Sequence, residues 1–350
     1  MEENKELQEK PETVETDVPL DKNVRLMSPT QMLVRRFFRS RLSIIGLIMV
    51  ISLFLFCFVG PLVYTRWDSK EPDKSGRISY ASSTVSFEVN GQSYSLRQTT
   101  ETQKSHNYLD PPSAEHPLGT DKMAFDILIR LMEGGQTSLI VSFMTVFLMT
   151  LIGVIIGGLA GYYGGWVDNV VMRVCDVLIC LPGVPILMIL NSAVTRWTEM
   201  GLDGTWRIYI LMGFLTLISW PGIARLVRGQ ILSLREQEFM VAAEAMGYST
   251  SRKVFKHLIP NVMPQLIVQM SLSLGSMILY EATLSFLNMG MRPPDTAWGS
   301  MIQVITNDYN ILQNHLYVWV PAGICIVIAV LGFNFVGDGL RDALDPKGRR

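Results

Sequence analysis

Long apolar runs alternate with shorter polar and basic segments along this chain. Six runs carry few or no charges and are long enough, at about 20 residues each, to cross a bilayer as helices. These runs are Leu42–Tyr64, Thr137–Tyr163, Val170–Leu190, Ile208–Val227, Met263–Leu287 and Leu316–Val336. The third is the least uniform, because it contains Arg173, Asp176, Pro182 and Pro185. The pattern predicts an all-α polytopic membrane protein with six transmembrane helices.

The distribution of lysine and arginine predicts the orientation of these helices. Basic residues collect before the first run (Arg25, Arg35, Arg36, Arg39, Arg41), after the fourth (Arg228, Arg235, Arg252, Lys253, Lys256) and after the last (Arg341, Lys347, Arg349, Arg350). The short loops on the other side carry only Arg196, Arg207 and Arg292. Because cytoplasmic loops are enriched in basic residues, both termini and the loop after the fourth run are expected in the cytoplasm.

Four segments follow from this arrangement. Residues 1–30 are polar and acidic and are expected to form a disordered cytoplasmic tail. Residues 42–64 are the first span, and residues 65–136 form an extracellular segment that ends at the entry to the second span. Polar and apolar positions alternate over Thr84–Leu96 around Asn90-Gly91, which predicts a β-hairpin and hence a small β-containing subdomain. Residues 137–350 hold the other five spans and a cytoplasmic loop at 228–262.

Composition narrows the class of protein. The chain of 350 residues is 49% hydrophobic and 17% charged, with a mean hydropathy of +0.27, which is typical of a membrane protein. Its formal net charge of −1 gives no bulk attraction to nucleic acid. The four cysteines (Cys57, Cys175, Cys180, Cys325) lie in apolar runs and form no CxxC pair, so no metal site or disulfide framework is indicated. Without a P-loop, GxSxG or HExxH sequence, the chain is not expected to be an enzyme.

The segment Glu238–Pro264 is polar and basic although it lies between two apolar runs. Alanines at 242 and 243 favour a helix and leave room for a partner, and Gly247 suits the end of that helix. A second helix is expected over Ser251–Leu258, before Pro260. The segment is therefore either a docking surface for a soluble partner or an ordinary interfacial helix-turn-helix.

A few charged residues lie inside or beside the apolar runs. Arg173 and Asp176 are three positions apart, so they share a helix face and can form an ion pair. We expect such a pair, together with nearby Asp168, to make these charges tolerable at the membrane surface rather than to contact a substrate. Glu281 either lines a translocation path or bonds to a neighbouring backbone group, and the sequence leaves both open.

Glycines recur on one face of the second run, at Gly153, Gly157, Gly158 and Gly161. Small residues at this spacing allow two helix backbones to approach closely in a membrane. The glycines therefore predict a packing surface and carry no chemistry.

The loop resembles the EAA motif of ABC-importer permeases, written EAA-x3-G-x9-I-x-L-P. Ala242, Ala243, Gly247 and Pro260 fall on motif positions, whereas Val241, His257 and Ile259 depart from it. Further segments complete the resemblance: His116-Pro-Leu-Gly-Thr-Asp121, Gly135-Gln-Thr-Ser-Leu139, Asp168 to Pro182, Glu281 to Gly290, Pro293-Pro294 and Trp298-Gly299. As an ordered set over Thr30 to Pro346 they are similar to the C-type permeases of dipeptide and oligopeptide importers, the OppC/DppC group. Met123-Ala124-Phe125 stands where that group usually has Gly-Arg.

The resemblance implies a type I ABC importer permease in the plasma membrane of a bacterium, surrounded by lipid. Its coupling loop would use Ala242, Ala243, Glu244, Gly247, His257 and Pro260 against an ATPase. The implied partners are a second, B-type permease, two cytoplasmic ATPases and an extracellular peptide-binding protein. ATP and Mg would bind the ATPases, and this chain would hold no cofactor. Dipeptides, nickel chelates and glutathione remain alternative substrates to oligopeptides; an ATPase-independent secondary transporter is a weaker alternative, because the chain shows no internal repeat.

Overall fold

The computed structural model describes residues 29–73, 78–89, 92–104, 108–200 and 206–344, so the expected tail falls almost wholly outside it. The helices are α1 (Pro29–Phe37), α2 (Arg41–Phe54), α3 (Gly60–Val63), α4 (Ile127–Tyr163), α5 (Gly165–Cys180), α6 (Gly183–Glu199), α7 (Trp206–Arg235), α8 (Glu238–Ala245), α9 (Thr250–Arg252), α10 (Ile259–Phe286), α11 (Trp298–Gln303), α12 (Tyr309–Asn314) and α13 (Leu316–Leu344). Turns of π-helix at Leu55–Val59 and Lys253–Leu258 join α2 to α3 and α9 to α10.

Among the described residues, four helices are long and apolar enough to cross a bilayer: Arg41–Val63, Ile127–Tyr163, Thr250–Phe286 and Leu316–Leu344. A fifth span is formed if α5 and α6, which are bent by 79° at their junction, count as one. The fourth predicted run lies within α7, which is not among these helices. The structure thus shows four or five apolar spans, and the six predicted are not confirmed.

The third predicted run, Val170–Leu190, is broken rather than continuous. Leu181 adopts an extended backbone (φ −72°, ψ 130°) between α5 and α6. Because the ring of a proline disfavours helical conformation in the residue before it, Pro182 accounts for the break at this position. The two arms consequently point in different directions.

Helix α4 begins ten residues before the predicted start of the second span. Asp126 caps it, since its side chain accepts a hydrogen bond from the backbone N–H of Ile129 at 2.9 Å. The segment 65–136 therefore already includes the first turns of α4.

Two strands, β1 (Ile78–Val89) and β2 (Gln92–Lys104), form an antiparallel pair between α3 and α4. Val85 lies opposite Leu96 and Phe87 opposite Tyr94, so the alternating stretch Thr84–Leu96 falls within this ladder. The predicted turn at Asn90-Gly91 lies outside the described residues.

Close helix packing follows the glycines of α4. A methyl group added at Gly157 would clash with the carbonyl oxygen of Ala224 in α7, and one at Gly153 would lie 2.7 Å from Ile223. At Gly158 the nearest atom would be at 3.7 Å, an ordinary contact. Three of the four glycines (Gly153, Gly157 and Gly161) thus face α7 directly, as small residues do where two helix backbones meet.

The first and last long helices are also neighbours. A methyl group at Gly46 of α2 would lie 2.6 Å from Phe335 of α13, and one at Gly332 would lie 3.0 Å from Val50. Helix α13 packs in turn on α10, and the fully buried Trp298 fills the space near one end of this group. These contacts place α2, α10 and α13 in one bundle beside the α4–α7 pair.

Candidate functional site

Helix α8 ends in a glycine cap. Gly247 has φ +68°, its N–H bonds to the carbonyl of Glu244 at 2.9 Å, and the N–H of Tyr248 bonds to the carbonyl of Ala243 at 3.1 Å. This pair of bonds is the Schellman arrangement, which satisfies the last carbonyls of a helix. Within the described part of the chain, and apart from its two chain neighbours, nothing lies within 4 Å of a methyl group placed at Gly247, so glycine is needed there for its backbone conformation and not for lack of space.

The two sides of α8 differ in exposure. Met240 and Ala243 are 3% and 1% exposed, whereas Val241 is 62% exposed and Ala242 is also exposed. The structure therefore separates the two motif alanines: Ala242 belongs to the outer face and Ala243 packs inward. Met246, 61% exposed, extends the outer face at the end of the helix. The middle of this outer face, at Val241 and Ala242, is apolar, and exposed Glu238 and Glu244 flank it.

The buried side of α8 is continuous with the core of two long helices. Met240 and Leu258 belong to one apolar cluster with residues of α7 (Ile223, Val227, Ile231) and of α10 (Val262, Leu266). Since close-packed interiors transmit displacement, a push on α8 would be carried to α7 and α10 together.

Polar and aromatic contacts tie the two halves of the loop. Tyr248 stacks on His257 at 5.8 Å between ring centroids, and the guanidinium of Arg252 lies 4.2 Å from the Tyr248 ring on which it packs. Glu244 and Lys253 form a long ion pair of 3.9 Å, with Glu244 largely exposed. His257 is thus a packing residue of the loop, and its buried Nε2 finds no hydrogen-bond partner in the part of the chain that the structure describes.

Pro260 does not separate two helices, in contrast to the sequence expectation. The helix runs through it from Thr250 to Phe286. A π-helical turn precedes the proline, and the N–H of Ile259 bonds back to the carbonyl of Val254. Because proline has no N–H and its ring crowds the preceding turn, the wider turn relieves a position where an α-helix would be interrupted.

Two ion pairs join α5 to α7. Arg228 binds Asp168 with two hydrogen bonds, Nε–Oδ1 at 2.7 Å and Nη2–Oδ2 at 2.5 Å. Arg225 Nη2 donates to Asp176 Oδ1 at 2.5 Å, while Arg173, whose side chain is 86% exposed, lies 3.9 Å from the same carboxylate. The predicted Arg173–Asp176 pair exists, but Arg225 is the closer partner.

Sequence reasoning missed the role of α7 in these pairs. Arg225 and Arg228 are three residues apart on α7, and each meets an acid on α5 that lies far away along the chain. A pair of basic residues at helical spacing in an otherwise apolar run was the available signal.

Glu281 of α10 is buried and fully bonded. Its Oε2 accepts from Ser138 Oγ at 2.9 Å and its Oε1 from Ser285 Oγ at 2.7 Å. Ser138 Oγ accepts in turn from the backbone N–H of Trp298 at 3.2 Å. The network links α4, α10 and α11, which accounts for a carboxylate that is only 6% exposed.

A cavity of about 430 Å³ opens between α4, α7 and α10. Its walls carry both apolar and polar groups, among them Ser219, Gln269, Ser273, Ser276 and Tyr280. Helices α7 and α10, which hold the apolar cluster under α8, also supply most of this wall. Sequence analysis had not singled out these polar residues, because isolated serines and a glutamine in apolar runs have no distinctive spacing.

Comparison with known proteins agrees with these features. Residues 153–350 match the family described as "Binding-protein-dependent transport system inner membrane component", and residues 28–75 match "N-terminal TM domain of oligopeptide transport permease C". A putative peptide permease protein of Brucella suis biovar 1 is 38% identical over 67% of this chain and 74% of its own.

Two relatives from Bacillus subtilis (strain 168) cover nearly the whole chain. The oligopeptide transport system permease protein OppC is 33% identical over 90% of this chain and 88% of its own. The dipeptide transport system permease protein DppC is 34% identical over 93% and 88%, respectively. The chain therefore belongs to the family of binding-protein-dependent permease subunits of ABC transporters. Within that family it groups with the OppC/DppC permeases, which confirms the resemblance seen in its motifs.

Proposed function

We propose that this chain is the C-type transmembrane subunit of an ATP-driven importer of oligopeptides and that it forms half of the translocation pathway. The observation that carries this proposal is the construction of α8. One side of α8 is exposed and apolar, and the other is packed into a cluster shared by α7 and α10. Such a helix can receive a soluble partner on its outer face and convey that partner's movement to membrane helices.

The proposed mechanism follows the packing. Closure of the ATPase pair displaces α8, and Met240 and Leu258 move with it because they are fully buried among the side chains of α7 and α10. The same two helices line the 430 Å³ cavity, so its shape changes between an inward-open and an outward-open state. ATP binding favours one state through its differential contacts, as any ligand-driven shift requires.

The proposal also includes the other subunits of the transporter and the orientation of this chain in the membrane. A B-type permease supplies the other half of the pathway, two cytoplasmic ATPases bind ATP and Mg, and an extracellular binding protein delivers the peptide. Both termini and α8 face the cytoplasm of a bacterial cell, and the β1–β2 hairpin faces outward. The concentration of Arg and Lys around α8 supports this orientation.

The substrate class rests on a narrower observation. Residues 28–75 match the family described as "N-terminal TM domain of oligopeptide transport permease C", which supports an oligopeptide as the cargo. Dipeptides, nickel chelates and glutathione are the alternatives within the family. These substrates are distinguished by measuring uptake of labelled peptides of two to six residues and of glutathione. The measurement compares a strain that lacks this chain with the complemented strain. Uptake restored only for dipeptides or glutathione would replace the oligopeptide assignment.

Docking is tested with an arginine on the outer face of α8. Ala242→Arg places a bulky charge on that face without disturbing Met240 or Ala243, so the ATPases should no longer co-purify although the chain still inserts. Gln313→Arg is the matched control, because Gln313 is an exposed helix position on α12, remote from α8 in the chain. Co-purification that survives Ala242→Arg would contradict the docking role of α8.

A further inference from the structure

A second, smaller cavity of about 210 Å³ lies where α4 begins, α10 ends and α11 and α13 meet them. Four charged residues line it: Asp121, Lys122, Arg130 and Arg292. Three of the four are cations, so the lining is electropositive. Neighbouring Asp295 and Glu133 do not line it, and each contacts another group: Lys70 lies 3.3 Å from Asp295, and Ser69 bonds to Glu133.

Arg130 is the only buried member of this charged set. It is 6% exposed, and its Nη1 has no hydrogen-bond partner among the residues that the structure describes. Asp121 forms a long ion pair with it, since its Oδ2 lies 3.6 Å from Nη1, but this separation is beyond hydrogen-bond distance. The other oxygen of Asp121 already accepts from the backbone N–H groups of Met123 and Phe125.

The guanidinium is nevertheless held in place. It lies 4.5 Å from the centroid of the Phe125 ring, which fixes its plane. A buried N–H without an acceptor is unfavourable unless a ligand supplies one. The two oxygens of a carboxylate match the fork of an arginine side chain.

The rest of the lining indicates what accompanies that carboxylate. Three methionines (Met123, Met291, Met301) line the cavity, and methionine adapts to side chains of different shape. Gln303 and Asn307 add amide groups that can bond to peptide carbonyls and N–H groups. The volume is below the roughly 300–1,000 Å³ of sites for drug-sized ligands, so it suits a single terminal residue.

We propose that this cavity binds the C-terminal residue of the peptide, with its free α-carboxylate on Arg130 and its side chain against the methionines. This inference rests on the proposed function in that it takes a peptide as the cargo. Lys122 and Arg292, both exposed, form the rim and attract the carboxylate before Arg130 receives it. The chain then contributes its own selection for a free C-terminus.

The test compares uptake of trialanine with uptake of trialanine amide by the intact transporter in cells. Arg130→Gln should lower uptake of the free acid about tenfold and change uptake of the amide less than twofold. Arg130→Lys keeps the charge without the fork and should be intermediate. The binding protein is unchanged throughout, so a shift in the acid-to-amide ratio belongs to this chain. Equal losses for both peptides at normal protein levels would overturn the proposal.

Because a buried arginine can be needed for folding, the exposed rim provides a second variant. Lys122→Glu combined with Arg292→Glu should lower the acid-to-amide ratio with normal protein levels, and an unchanged ratio would overturn the proposal. Arg66→Gln is the matched control, since Arg66 is a half-exposed arginine outside this cavity, and it should leave the ratio unchanged.

Failure of the proposed function would give a different experimental result from failure of the carboxylate site. If the wild-type chain supports uptake of neither peptide, the importer assignment fails, and the cavity is then examined in the purified full-length chain. The thermal unfolding midpoint should rise with millimolar acetyl-alanine but not with acetyl-alanine amide, and Arg130→Gln should abolish the rise. No rise in the wild-type chain would overturn the carboxylate site itself.

Discussion

Adjacent glycines in α4 offer a test of how α4 and α7 are held together. Alanine at either position should favour the helix by about 1 kcal/mol relative to glycine. At Gly158 the added methyl group has its nearest neighbour, Ile231, at 3.7 Å, so Gly158→Ala should stabilise the chain by about 0.5–1 kcal/mol. Gly157→Ala meets the backbone of Ala224 instead, with the Cα at 2.8 Å.

The clash at Gly157 has a calculable size. Carbon atoms in contact prefer about 3.5–4.0 Å, so the two helices must separate locally by roughly 1 Å. Overpacking of this kind typically costs about 1–3 kcal/mol. After the gain of about 1 kcal/mol in helix propensity, Gly157→Ala should destabilise the chain by up to about 2 kcal/mol, opposite in sign to Gly158→Ala.

Both variants can be measured by equilibrium unfolding of the purified chain in mild detergent titrated with dodecyl sulfate. Gly158→Ala is the control for Gly157→Ala, because the two substitutions are chemically identical and lie in the same helix. Equal free energies of unfolding for the two variants would show that close approach of α4 and α7 at Gly157 does not stabilise the fold.

Three further results are expected. Gly247→Ala should weaken the end of α8 by about 1 kcal/mol and Gly247→Asn by less, because asparagine tolerates positive φ; equal protease sensitivity of the loop in both would contradict this. Arg228→Gln should lower the free energy of unfolding by about 1–3 kcal/mol, because Asp168 loses its bidentate partner. Exchanging Arg228 and Asp168 should recover part of this loss, and no recovery would mean that the ion pair is not its cause. Glu281→Gln should lower the unfolding temperature less than Glu281→Leu, since an amide still bonds to Ser138; the reverse order would contradict the network described for this carboxylate.

The features predictable from sequence were those set by neighbouring residues. Gly247 ends a helix because its own backbone conformation demands glycine, and this signal is readable locally. The division of Ala242 and Ala243 between outer and inner faces was not readable, because it depends on where α8 rests against α7 and α10. Likewise Arg225 could not be assigned to Asp176, since only the fold of α7 against α5 brings them together.

The membrane-spanning pattern was predictable in part for a similar reason. Hydrophobicity located Arg41–Val63 almost to the residue, because length and apolar character decide whether a helix can cross. The break at Leu181 was not predictable from hydrophobicity, because a proline such as Pro182 inside a helix can either kink the helix or end it. The bonds of Glu281 to Ser138 join residues of different helices, and hydrophobicity carries no information about such a pair.

The contact between α2 and α13 has a consequence for biosynthesis. The ribosome completes α2 first among the spans and α13 last, so Gly46 cannot meet Phe335 until nearly the whole chain has been made. Until then the surface of α2 around Gly46 contacts lipid or another protein instead of α13. A nascent chain truncated before α13 therefore leaves its first helix without its permanent neighbour, which gives quality-control proteases a physical difference between finished and unfinished copies.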